Sequence, residues 1–84
     1  MSDAQEQEEE LHRELQRRAD HISSLIVASD YPAIDVVIEI RKLRDFAEEH
    51  FPGRTGLFQR IYESRFRRLW EQFRAQAGES LPEW

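Results

Sequence analysis

The sequence predicts an all-α fold, either an antiparallel three-helix bundle or a helical hairpin plus a third helix, completed by self-association. Three observations carry this. Apolar residues recur at helical spacing in three separate stretches, and proline and glycine punctuate the chain between those stretches. The chain also has only 84 residues and no cysteine. A domain of this size buries roughly 60–65% of the surface its unfolded chain exposes, so its core is thin. Disulfide and thiolate-metal staples are excluded, which leaves association with a second copy or a partner.

The organisation expected is an acidic extension over residues 1–10, open to fraying, a single helical domain over 11–77 and a tail over 78–84. The first helix spans Ala4 to Ala28, with Leu11, Leu15, Ala19, Ile22, Leu25 and Ile26 in one narrow stripe. Such a stripe suits packing against a single neighbour. The first ten residues hold five acids and no base, a distribution favourable at the positive end of a helix.

The stretch "SDYP" then interrupts, with Ser29 or Asp30 as a cap and Pro32 in the first turn of a second helix running to about His50. Its stripe is Ala33, Val36, Val37, Ile40, Leu43 and Ala47. Ile34 and Ile38 stand one turn apart on another side, and Phe46 on a third. The β-branched run "AIDVVIEI" invites a strand, but strict alternation fails at Val36, Val37 and Ile38, and the charged continuation "RKLRDFAEEH" fits a helix.

Pro52 and Gly53 end the second helix, and Thr55 is the expected cap of a third, from about Gly56 to Gln76, which Gly78 stops. On a uniform wheel Phe58, Tyr62, Phe66, Leu69, Trp70 and Phe73 share one side. Arg60, Glu63, Arg67, Glu71 and Arg74 share the other, in alternating signs that predict a solvated, self-paired face. Each such pair contributes a few tenths of a kcal/mol, against about 1.5–3 kcal/mol for burying one large apolar side chain, so the aromatic side turns inward. Arg65 and Arg68 lie outside the alternating set. Arg65 is expected either to snorkel outward or to meet an acid such as Asp35, Glu39 or Asp45 on the second helix, since residues 54–76 carry six arginines against two glutamates while residues 30–51 carry six acids against three bases. Leu81 and Trp84 either fold back on the bundle or hang free.

Ile34 and Ile38 are the predicted interface, with Phe46, Tyr31 and Trp84 as secondary anchors because aromatic residues are enriched at interfaces. Coverage of the two isoleucines by the third helix or the tail is the competing expectation. Arg54, Arg65 and Arg68 are candidate contacts for an anion or an acidic partner. The function expected is a small protein–protein interaction module, an adaptor, assembly or regulatory subunit whose partner is itself or another protein. Nucleic-acid association through the arginine-rich third helix is the second reading, opposed by a net charge of −5. A small-molecule enzyme with an arginine-lined anion pocket at a dimer interface is a distant third.

No catalytic, cofactor or metal residue is predicted. Glu9 and His12 have the Glu-x-x-His spacing of di-iron bundles without the second such pair a site needs, and His12, His21 and His50 lack zinc-ligand spacing. Ser23 and Ser24 follow His21 within a helix, with no glycine-bounded elbow to present a hydroxyl. Between Gly53 and Gly56 the loop reads as a plain interhelical turn rather than a phosphate cradle. The amino-terminal stretch has no apolar signal region and the chain no membrane-span candidate, so a cytoplasmic location is expected, with no membrane partner.

Overall fold

The computed structural model describes residues 3–28 and 30–84, and among these every regular element is helical. Helix α1 runs from Asp3 to Val27. Its buried residues, Leu15, Ala19, Ile22 and Ile26, are separated by three or four positions and form one stripe. The opposite side is charged and locally paired, with Arg17 and Arg18 Nε/Nη groups 2.6 and 2.9 Å from the Glu14 carboxylate and Arg13 3.8 Å from Glu9. Helical geometry begins within the acidic stretch, and all of residues 3–10 are exposed.

Helix α2 covers Ala33–His50 and buries Val36, Val37, Ile40, Leu43 and Ala47. Asp30 does not cap it. The helix starts from Pro32, with no side-chain capping bond, and the Asp35 and Val36 N–H groups donate to the Pro32 carbonyl at 3.0 and 3.2 Å. Ser29, the other expected cap, lies outside the described residues. Thr55 likewise is not a cap: Arg54 occupies that position, and its carbonyl accepts from the Leu57 and Phe58 N–H groups.

The third helix, α3 (residues 55–77), is not uniform. It is α over Thr55–Phe58 and Ser64–Leu69, π over Gln59–Glu63 and Trp70–Arg74, and 3-10 over Ala75–Ala77. The core-facing residues explain why. Phe58, Tyr62, Phe66, Trp70 and Arg74 recur every four positions, and all five are buried or half-buried. At about 100° per residue, a step of four overshoots a full turn by ~40°, so four steps would carry Arg74 ~160° away from Phe58. Two turns closed between residues i and i+5 take up that overshoot and hold the row on one side.

This overturns the uniform wheel at its far end. Phe73, expected inside, is 38% exposed, and Arg74, expected in solvent, is 0% exposed. Gly78 stops the helix as expected, at φ +89°, with its N–H donating to Ala75 and that of Glu79 to Arg74, a Schellman pattern.

The two ends of the bundle are identified by the contacts that cross them. The His12 ring near the start of α1 lies 4.5 Å from that of Phe51, and Arg54 reaches Glu8 at 3.3 Å. At the other end Arg74 reaches the last turn of α1. Helix α2 is therefore antiparallel to α1, and α3 runs parallel to α1. The bundle measures 50 × 21 × 17 Å with a radius of gyration of 14.0 Å, longer than the ~12 Å of a rounded domain of this length. An elongated bundle leaves every helix with a face in solvent.

Phe51, outside the predicted core, is buried between His12 and Phe58, whose ring it meets edge-on at 5.1 Å. The tail folds back. Trp84 is half-buried, its ring 6.4 Å from that of Trp70, and its main-chain oxygen accepts from Arg44 Nη2. Trp70 Nε1 donates to the Glu79 carbonyl at 3.1 Å, so the tail is fastened at both ends.

Candidate functional site

The apolar stripe of α2 that faces α1 leaves Ile34 and Ile38 pointing away from the core, 66% and 43% exposed. Neither α3 nor the tail covers them. Burying an aliphatic side chain of this size contributes about 1.5–3 kcal/mol, so two adjacent uncovered ones are a surface on which contact is favourable. They are bordered on α2 by the exposed charges Arg41, Lys42 and Asp45. Lys42 is drawn back toward Glu39, 3.5 Å away on the same helix.

The secondary candidates are not gathered with them. Phe46 is half-buried against α1, where the Arg18 guanidinium stands 4.4 Å from its ring centre and the His50 ring 4.5 Å away. Tyr31 and Trp84 also pack on the core. These three aromatics hold this chain's own helices together in the structure described.

The arginines divide sharply. Arg65 meets Asp20 on α1 at 3.1 Å and lies 5.4 Å over the Tyr62 ring. The acids of α2, expected to receive it, are on the wrong side of α3. Arg54 is engaged by Glu8, and Arg68 has no acidic group within 4.0 Å among the described residues. The alternating face does not pair with itself either. Glu63 is taken by Arg44 of α2 at 2.6 Å, with a second bond from Nε at 3.3 Å, leaving Arg60 and Arg67 without an acidic partner among the described residues. This half-buried pair, with the hydrogen bond to Glu63 as the leading cause, raises the Arg44 pKa further, so Arg44 stays charged.

The most elaborate polar cluster is centred on Arg74. Its Nε donates to the Ile26 carbonyl and its Nη2 to the Leu25 carbonyl, both at 2.8 Å, and Nη1 reaches the Glu79 carboxylate at 3.1 Å. The guanidinium lies 5.0 Å from the Trp70 ring centre. Helix α1 has no basic residue in its last turn. Arg74 therefore supplies across the bundle the cation and the donors that the carboxyl end of α1 lacks in its own sequence. Each of its three nitrogens has a hydrogen-bond partner within the chain and the side chain is fully buried, so this is an architectural cluster.

The remaining polar groups are also absorbed locally. Ser23 and Ser24 hydroxyls donate to the Ala19 and His21 carbonyls. Among the described residues no three metal-ligating side chains come together. Depressions of 430 and 480 Å³ lie along α1, the first lined by Glu10, Arg13, Gln16, Arg17 and Asp20 from that one helix. Gly53 adopts φ +84° in the turn after α2, while no positive φ occurs at Gly56. No described helix is long and apolar enough to cross a membrane.

Comparison with protein-family models, curated proteins and solved structures found no match to this chain.

The signal missed in the sequence was the four-residue repeat Phe58, Tyr62, Phe66, Trp70, Arg74. A repeat longer than 3.6 residues can stay on one face only if the helix unwinds locally, and it placed Arg74 in line with four aromatic residues. Pairing of Arg44 with Glu63 had no such signal, because the two are nineteen positions apart on different helices.

Proposed function

We propose that this chain is a small helical protein–protein interaction module, an adaptor, assembly or regulatory subunit, that associates through the outward face of α2, first with a second copy of itself. The observation that supports it is the exposure of Ile34 and Ile38, adjacent on the helix and directed away from the core. A thin core in a chain of 84 residues without cysteine favours the same reading, because further burial is what such a domain lacks. Sedimentation equilibrium across a wide concentration range tests it. The expected result is a dimer or larger assembly that Ile34→Glu/Ile38→Glu converts to a monomer of unchanged helical content. An unchanged mass for that variant, or a wild-type monomer throughout, rejects the surface as a self-association site.

Nucleic-acid association is the second reading, favoured by the unpaired arginines of α3. The bases would have to stack elsewhere than on Phe66 and Trp70, which are buried. Binding to DNA or RNA that weakens steeply with salt is its expected signature, and no shift at low salt removes it.

A further inference from the structure

The four-residue period of α3 sorts its remaining positions into rows. One row holds Leu57 and Ile61, 54% and 49% exposed. The outermost row begins with Arg60, Ser64 and Arg68, and Arg67 follows on its other border, all exposed. Over about 16 Å of helix, two uncovered aliphatic side chains thus stand beside two arginines, Arg60 and Arg68, that have no acidic group within 4.0 Å among the described residues.

We propose that this surface of α3 binds an acidic amphipathic helix of another protein. Leu57 and Ile61 call for apolar teeth at helical spacing, and Arg60 and Arg68 call for carboxylates beside those teeth. Both demands are met by one helix of about three turns with leucine-like residues on one side and Asp or Glu at its borders. A phosphate backbone satisfies only the second demand, and the Phe66 and Trp70 rings, which could otherwise stack on bases, are buried. The acidic start of α1 in a second copy satisfies the second demand as well, but it lacks the first: Asp3 to Glu10 include no large apolar residue, and Leu11 packs against its own core. Arg60 and Arg68 have no acidic partner among the described residues of a chain of net charge −5, so charge complementarity selects an acidic occupant without attracting polyanions in general. This surface is separate from that of Ile34 and Ile38, so it stands whether or not α2 associates with itself, and occupation of both would make the chain a bridge.

The probe is a phage-displayed random library of peptides about 16 residues long, panned against the intact chain. Enrichment of peptides with large apolar residues at three- and four-residue spacing, bordered by Asp or Glu, is expected. Synthetic copies of the enriched peptides should lose about tenfold or more in affinity for Ile61→Glu and for Arg60→Glu/Arg68→Glu. Each variant is checked by circular dichroism; because these positions are exposed, retained helicity is expected, and Leu57→Ser serves if one fails to fold. Absence of enrichment, enrichment of non-acidic peptides, or affinities unmoved by these substitutions would overturn the proposal. So would tighter binding of single-stranded DNA, or of phosphatidylcholine–phosphatidylserine vesicles, than of any enriched peptide.

Discussion

The two ends of α3 are made of the same residue types and use them in opposite ways. Over its first fourteen residues, Arg60 and Arg68 stand in solvent beside the uncovered Leu57 and Ile61. Near its finish, Arg74 is sealed beneath the surface, spanning from Trp70 to the last carbonyls of α1. An arginine is neither a surface residue nor a binding residue by type. Its role follows from the phase of the helix at its position and from what the neighbouring helix leaves unsatisfied there.

Removing the side chain at each end gives the largest contrast. Arg74→Met should lower stability by about 3–5 kcal/mol, because the Leu25 and Ile26 carbonyls and the Glu79 carboxylate lose a buried partner together. Arg68→Met should stay within about 0.5 kcal/mol. Urea denaturation followed at 222 nm measures both. A loss below about 1 kcal/mol for Arg74→Met would mean that solvent replaces the guanidinium easily and that the cluster is not buried in solution. Should Arg74→Met not fold, Arg74→Lys, which keeps the charge and gives up the fork, should still show a clear loss.

A comparable contrast separates the two phenylalanines that a uniform wheel puts together. Phe66→Ala should lose about 3–5 kcal/mol and Phe73→Ala less than about 1 kcal/mol. Equal losses would contradict the π turns, because they would return Phe73 to the core side. A smaller effect is expected at Arg44 and Glu63. A double-mutant cycle with Arg44→Gln and Glu63→Gln should give a coupling of about 1–2 kcal/mol, above that of an exposed pair because both side chains are largely sheltered. A coupling near zero would make this contact no different from the surface pairs.

The smallest effect belongs to α1. The hydrogen bond from Arg18 above all, with Arg17 adding to it, holds the Glu14 carboxyl below its ordinary 4.5. A lowered folded-state value favours the folded chain above the unfolded pKa, and that contribution is lost as pH falls through the lowered value. Carboxyl carbon shifts followed by NMR should place the Glu14 midpoint below 4.5 in wild type and return it toward that value in Arg18→Gln. No movement in the variant would leave the pairing without effect in solution.

Much of the fold was legible before any coordinates. The stripes of α1 and α2 emerge with nearly every residue in place, since each is an amphipathic pattern of ordinary 3.6-residue period within one continuous helix. Pro32, Pro52 and Gly78 mark the boundaries to within a residue or two, through backbone restrictions that act locally. The same wheel sets Ile34 and Ile38 apart from the stripe facing α1, but that nothing of α3 or the tail covers them was decided by packing. Reading failed where a residue's partner is distant in sequence. Arg65 found Asp20 rather than an acid of α2, Glu63 found Arg44 rather than its own helical neighbours, and Phe51, outside every predicted stripe, closed the aromatic end of the core.

The sequence by itself determined three helices, their ends and the inward faces of the first two, because helical periodicity and chain punctuation are properties of neighbouring residues. Only the tertiary structure decided the phase of α3, the docking of the tail and the burial of Arg74. Those depend on which groups of other helices lie across the contact: the last turn of α1 presents carbonyls and has no basic residue of its own, and the widened turns of α3 bring the guanidinium to them.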